Sequence, residues 1–383
     1  MFVSANNNHN NTNNNKRRDS RTNREPVELI TRHDKEQLPP TLSDDHEDPQ
    51  EAGWNQFLLK LKQSHEQNGD EAYGGGIVGA SRFGQEGALG QQKMKRLGGL
   101  VLGGIPIRLR HPLWMELSNT DQMAEPDAYR YYLSLREHGE QSEIDAILKD
   151  VPRTLTSKYD FYAKKGFKRL KEVLVAFVGR YDDLGYSQGL NTIAGYLLLV
   201  SPSEEDAFWL LCNIVETYFP VDYFSRAANL TGPLADNVVI RKYVDELLPQ
   251  LGKHLDALRI PPDRTVPLSW FYTAFSSVLA QDILMRIWDV WLCLPGQKAF
   301  IFNVALAIVM QNAGALLECE DEGEYMGFMS NQIKVDGDAE WVNELIKLAM
   351  SLRKKLEGVE ERRELKTKLL RRKQGSTEAL FGS

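Results

Sequence analysis

From Gly104 onward the apolar residues of this chain recur with the period of a helix, and that spacing constrains the fold more than any other feature. The clearest case is residues 164–179. There Phe167, Leu170, Val173, Leu174, Phe177 and Val178 share one helical face, while Lys165, Lys168, Arg169 and Glu172 face away. Similar patterns predict helices at about 189–200, 204–217, 234–252, 267–278, 280–293, 298–317 and 338–372. Alternating strand patterns are scarce, and no strand–helix–strand rhythm occurs. The expected fold is all-α, with more helices than a simple four-helix bundle holds.

Composition narrows the setting. The 383 residues carry a net charge of -7, which supplies no global field for nucleic acid or an anionic membrane, so no nucleic-acid partner is expected. Cys212, Cys293 and Cys319 are widely spaced, without a CxxC pair, and predict neither a disulfide framework nor a zinc site. The N-terminus runs from Met1 straight into asparagines and lacks the apolar core of a signal peptide. The apolar run 304–310 ends at Asn303 and Gln311, too short for a bilayer span. A soluble protein of the cytoplasm is expected.

Residues 1 to about 50 are polar and predict disorder, with Lys16, Arg17, Arg18, Arg21 and Arg24 forming a basic cluster read as part of a solvated tail, the alternative being a targeting signal or a contact for an acidic partner. Trp54, Phe57, Leu58 and Leu61 then fall at i, i+3, i+4 and i+7 and predict one short amphipathic helix, docked either on the main domain or on a partner. The glycine-rich stretch from Gly74 to Gly104 reads as a flexible linker. Gly74, Gly76 and Gly79 formally satisfy GxGxxG, but no apolar strand precedes them and no amphipathic helix follows directly, so the geometry of a dinucleotide site is missing. The last helix is highly charged beyond Arg353 and reads as an extension that faces a partner or solvent.

Two short segments carry candidate chemistry. In Ile147-Leu148-Lys149-Asp150-Val151-Pro152-Arg153-Thr154, Pro152 biases Val151 away from helical geometry, so Arg153 is expected on a turn or loop. A guanidinium there is a permanently charged fork suited to phosphate oxygens. A structural pair with Asp150 is the alternative use of the same residue. In Gly185-Tyr186-Ser187-Gln188-Gly189-Leu190-Asn191, the Gln188 amide both accepts and donates, and so can orient a water without titrating. A hydrogen bond at the helix start by Gln188 or Asn191 is the alternative.

Ile147, Asp150, Arg153 and Thr154 reproduce IxxDxxRT, and Tyr186 with Gln188 reproduces YxQ, so the chain resembles the TBC family of Rab GTPase-activating proteins. Gly104-Ile105-Pro106 with Arg110 and Trp114 resembles the opening of that domain. Ser269-Trp270-Phe271-Tyr272 and Arg286-Ile287-Trp288-Asp289 resemble its later segments. Ser187 and Leu190 stand where many members have Cys and Met, and Tyr272 and Ala274 also depart from the usual pattern. Trp270, Trp288 and Trp291 are read as core, and Arg286 with Asp289 as an i, i+3 pair on one helix.

Composition outside the main domain predicts a largely disordered leader over 1–99, a charged helical extension over 351–373 and a disordered tail over 374–383. The resemblance implies that the domain between, over 100–350, is two-lobed and multi-helix. It implies an activator working in trans on a GTP-bound Rab-type small GTPase in vesicle trafficking, rather than a stand-alone hydrolase. Arg153 and Gln188 would be the catalytic fingers, with Asp150, Thr154, Tyr186, Ile147, Gly189 and Asn191 in support. No cofactor of its own is implied, since GTP and Mg2+ belong to the partner. Peripheral contact with endomembranes would run through other proteins. The alternative is a catalytically silent Rab-binding or scaffold module. An unrelated helical hydrolase fares worse, because no GxSxG, HExxH or Cys/His nucleophile pattern occurs.

Overall fold

The computed structural model describes residues 49–68, 76–136, 141–159, 161–162, 166–225, 230–333, 339–356 and 358–381. Among the described residues every regular element is a helix and no strand occurs. The longer helices of the first half are α1 (Pro49–Asn68), α2 (Gly87–Gly103), α3 (Ile107–Leu117), α4 (Ala128–Arg136), α5 (Gln141–Asp150), α6 (Gly166–Arg180), α7 (Leu190–Val200) and α8 (Glu204–Asn213). Those of the second half are α9 (Thr231–Leu247), α10 (Pro249–Ala257), α11 (Gln281–Cys293), α12 (Phe300–Gln311), α13 (Ala339–Leu352) and α14 (Val359–Phe381).

The helices form two groups around one continuous apolar core. In the first group α6 packs against α4, α7 and α8, and residues 173–178 are all buried, so its second half has no solvent face. That is more burial than one amphipathic stripe implies, and it marks α6 as a central helix. In the second group α9 packs against α10, α12 and α14, and α12 against α13. Helix α11 joins the groups, touching α2 and α3 from one half of the chain and α12 and α13 from the other. Trp270, Trp288 and Trp291 are all fully buried, and the Trp288 ring lies 6.1 Å from that of Trp114. No helix among the described residues is long and apolar enough to cross a membrane.

A buried carboxylate fastens this junction. Asp289 accepts from Arg110 Nε at 3.1 Å, Trp114 Nε1 at 3.0 Å and the Ile105 backbone N–H at 3.1 Å. Burial pushes the Asp289 carboxyl up, and the adjacent Arg110 guanidinium works against that shift. The expected pairing of Asp289 with Arg286 does not form. Arg286 instead donates to the Leu102 carbonyl at 2.7 Å and to Asn343 Oδ1 at 3.0 Å, because its side chain leaves α11 toward α2 and α13.

Several sequence expectations are corrected. The glycine-rich stretch is not a flexible linker through Gly104: residues 87–103 form α2, whose Leu97, Leu100 and Val101 are buried. Each interior glycine costs a helix about 1 kcal/mol, and burial of three apolar side chains at about 1.5–3 kcal/mol each outweighs that. The short helix near 54–61 is the twenty-residue α1, and it docks on the domain through buried Trp54, Phe57 and Leu61. Trp54 Nε1 donates to the Gly104 carbonyl at 2.9 Å. The loop at 76–80 is filled from within, since the Glu116 carboxylate accepts from the backbone N–H groups of Val78, Gly79 and Ala80 at 2.9, 2.7 and 3.2 Å.

The helix expected over 234–252 is broken before Pro249, which restricts Leu248. The one expected over 267–278 is a single turn, Ser269–Tyr272, ended by Ala274 and Phe275 at φ 46° and 65°. The helix expected over 338–372 divides at Gly358, φ 72°, into α13 and α14. Helix α14 continues to Phe381, so most of the stretch taken for a disordered tail is helical. The disorder expected of the first 48 residues and the basic cluster at Lys16–Arg24 lie outside the described residues, as does Lys165.

Candidate functional site

Helix α5 delivers the first candidate segment. Glu143, Ile147 and Asp150 fall at i, i+4 and i+7 and are all buried, so one face of α5 carries two acids into the protein. Pro152 lacks the N–H that would continue the α-helical ladder, and the chain tightens into the 3-10 turn Val151–Arg153, from which Arg153 emerges with its side chain 65% exposed. Asp150, 7% exposed at the side chain, receives Arg153 Nε at 3.1 Å and Nη2 at 2.5 Å on Oδ1. The pair is therefore lopsided: a sunken carboxylate holds an arm that is mostly in solvent.

The second candidate segment meets the first through side chains. Tyr186 donates its hydroxyl to Asp150 Oδ2 at 2.7 Å, so the two carboxylate oxygens serve the two segments separately. Burial first, and then this hydrogen bond to Asp150, raise the Tyr186 phenol well above its ordinary range, which keeps it a donor. Thr154 donates to the Asp150 backbone carbonyl at 2.7 Å, and Asn191 donates to Thr154 Oγ1 at 2.7 Å. Asn191 in turn accepts from the Gly189 N–H at 3.0 Å, so its amide joins both segments as well as starting α7. Ile147 is fully buried beneath this network.

Gln188 stands between Tyr186 and Gly189 on the exposed side of the loop, and its amide makes no hydrogen bond among the described residues. Its backbone is tightly set on both flanks. Gly189 has φ 107°, and a Cβ there would lie 2.6 Å from Tyr272 Cδ2 and 2.8 Å from the Tyr272 carbonyl oxygen, so only glycine fits. Thr192 donates to the Gly189 carbonyl at 2.9 Å, and Ser276 donates to Thr192 at 2.8 Å.

Three contributors escaped the sequence reading. Glu143 accepts from the Tyr186 N–H at 2.6 Å and thereby ties α5 to the glutamine loop. Its signal was present, as an acid placed on the buried face defined by Ile147 and Asp150. Tyr272, noted in the sequence only as a departure from the family pattern, and Ser276 come from about 85 residues away, and nothing local tied either to this loop. The arrangement thus presents one exposed cation and one exposed neutral amide, both on short segments braced by buried hydrogen bonds. It holds no nucleophile–base pair of its own.

Comparison with known proteins agrees with this architecture. The sequence profile of the Rab-GTPase-TBC domain matches residues 107–317. TBC domain-containing protein C4G8.04 of Schizosaccharomyces pombe is 29% identical over 76% of the chain and 37% of its own length. Small G protein signaling modulator 3 of Mus musculus is 33% identical over 69% of the chain and 35% of its own length. The chain therefore spans little more than a third of these relatives. Among solved structures, the Chlamydomonas flagellar RabGAP TBC domain is similar with a TM-score of 0.59 at 22% identity, covering 79% of this chain and 96% of that one. The Ypt/Rab-GAP domain of Gyp1p is similar with a TM-score of 0.60 at 16% identity, covering 78% and 98%. At such identities the structural likeness concerns the fold.

Proposed function

Because the chain belongs to the Rab-GTPase-TBC domain family, we propose that it accelerates GTP hydrolysis by a GTP-bound Rab-type small GTPase, in vesicle trafficking, with Arg153 and Gln188 as fingers supplied in trans. The observation that carries this reading is the pairing of Arg153 and Gln188, both solvent-facing, on two segments locked together through Asp150, Tyr186, Thr154 and Asn191.

The partner GTPase carries GTP and Mg2+. On docking, Arg153 leaves Asp150 and meets the charge that develops on the transferring phosphoryl group. Only the Arg153 side of the pair is exposed, but that exposure lets solvent screen it to about 1 kcal/mol at most, so the release is cheap. An arginine finger contributes about 10³ to 10⁵ in rate, or roughly 4–7 kcal/mol of barrier, so the exchange is strongly favourable in the transition state. Asp150 keeps its Tyr186 hydrogen bond throughout, which leaves the buried carboxylate partnered. Gln188 accepts from and donates to the attacking water, in place of the GTPase's own glutamine.

The test is complex formation between the full chain and GDP-loaded Rab proteins with and without aluminium fluoride, which mimics the planar transferring phosphoryl group. A finger mechanism requires a complex that depends on aluminium fluoride and is lost in Arg153→Ala. A complex indifferent to aluminium fluoride identifies a silent binding module instead.

A further inference from the structure

Helix α14 has two faces of different chemistry. Its inner face is anchored to α9 by a buried pair in which Arg363 donates from Nε and Nη2 to Asp236 at 2.6 and 2.8 Å. Tyr223 adds a hydroxyl to the same carboxylate at 2.8 Å, and Thr367, one turn on, is buried against the same side. With Arg363 and Thr367 turned inward, positions 365, 368 and 369 must turn outward. Leu365 is 61% exposed and Leu369 44% exposed, at i and i+4, with exposed Lys368 beside them. Arg371 pairs with Asp222 at 3.2 Å, which holds the neighbouring turn and its Val221, 84% exposed, next to this part of the helix.

The charge here runs against the rest of the protein. Residues 365–373 contain Lys366, Lys368, Arg371, Arg372 and Lys373 and no acid, in a chain whose net charge is -7. Leu369 stands among bases, while Leu365 lies at the boundary between exposed Glu361 and Glu364 on one side and the basic stretch on the other; from Leu365 onward the anchored helix fits a surface that is anionic outside and apolar just beneath. A bilayer carrying acidic headgroups has that profile, whereas a protein groove that accepted the leucines would also have to desolvate the surrounding lysines.

We propose that the outward face of α14, with the adjoining Val221 turn, is a docking surface for an anionic lipid bilayer. The surface binds membrane directly and does not depend on the catalytic reading.

Co-sedimentation of the full chain with phosphatidylcholine vesicles, with and without phosphatidylserine, tests it. Binding is expected only where phosphatidylserine is present, and is expected to weaken as salt rises. Lys366→Glu with Lys368→Glu should lower the affinity by about 25-fold or more, at about fivefold per base removed. Leu365→Ser with Leu369→Ser should weaken binding while leaving its salt dependence in place. Lys60→Glu with Lys168→Glu, exposed bases on α1 and α6, should bind as the unmodified chain does. Circular dichroism and the stimulation of Rab GTP hydrolysis in solution should be unchanged in all three variants, so failure of this surface is separable from failure of the catalytic site. Absence of vesicle binding, equal binding to both vesicle types, or full binding by both α14 variants would overturn the proposal.

Discussion

Tyr186→Phe and Arg153→Ala both strip a partner from Asp150, yet they should act on different quantities. Tyr186 and Asp150 are both 5% exposed, and the hydroxyl lies 2.7 Å from Oδ2. A hydrogen bond to a buried charge contributes about 1.5–3 kcal/mol net, so Tyr186→Phe should lower stability by about 2 kcal/mol or slightly more. Arg153 is bound to the other oxygen, but its side chain is 65% exposed, so the pair is solvent-screened and worth about 1 kcal/mol at most. Arg153→Ala should therefore barely shift the urea midpoint while abolishing stimulated hydrolysis. Urea denaturation of the two single variants and the double variant, at constant slope, measures both effects. If Arg153→Ala destabilises the fold as much as Tyr186→Phe does, Arg153 is a structural counter-charge and its assignment as a mobile finger is wrong.

Other outcomes follow from neighbouring contacts. Glu143→Ala leaves the buried Tyr186 N–H without its acceptor and should cut the apparent rate of stimulated hydrolysis by about tenfold, while Glu143→Gln, which keeps an acceptor oxygen, should restore most of it; equal losses in both would refute a positioning role. Gly189→Ala forces a side chain into Tyr272 at φ 107° and should lower stability by about 2 kcal/mol or more in the same urea assay; an unchanged midpoint would contradict the tight packing. Asp289→Ala strands Arg110 and two further donors and should cost about 3–5 kcal/mol, whereas Arg286→Ala, which does not touch Asp289, should cost much less. Trp54→Ala should cost about 3–5 kcal/mol if α1 belongs to the folded body, and nothing measurable if α1 is dispensable.

What could be read beforehand was what is local. The helical period around Phe167–Val178 is complete within fifteen residues, and Pro152 announces the turn that exposes Arg153 within one. Composition misled at α2, where glycines hid the buried Leu97, Leu100 and Val101, although their spacing was visible. The break at Pro249 was likewise legible and outweighed by the apolar pattern on either side. Contacts made in three dimensions had no local trace. Arg110 reaches Asp289 from 179 residues away, and Tyr272 closes over Gly189 from a distant turn. Sequence spacing favoured Arg286 as the partner of Asp289 because it cannot register where a second helix will lie. The braces of the candidate site, Glu143 above all, belong to this class: the exposed residues sat in recognisable segments, and what holds them was distributed.

The central claim is that one exposed arginine and one exposed glutamine act together in trans. Single-turnover GTP hydrolysis by a panel of GTP-loaded Rab proteins, with the unmodified chain, Arg153→Ala and Gln188→Ala, measures this directly. The account predicts acceleration of one or a few Rab proteins, lost by about 10³-fold or more without Arg153 and strongly reduced without Gln188. Full acceleration by either variant, or none by the unmodified chain on any Rab protein that it binds, would contradict it.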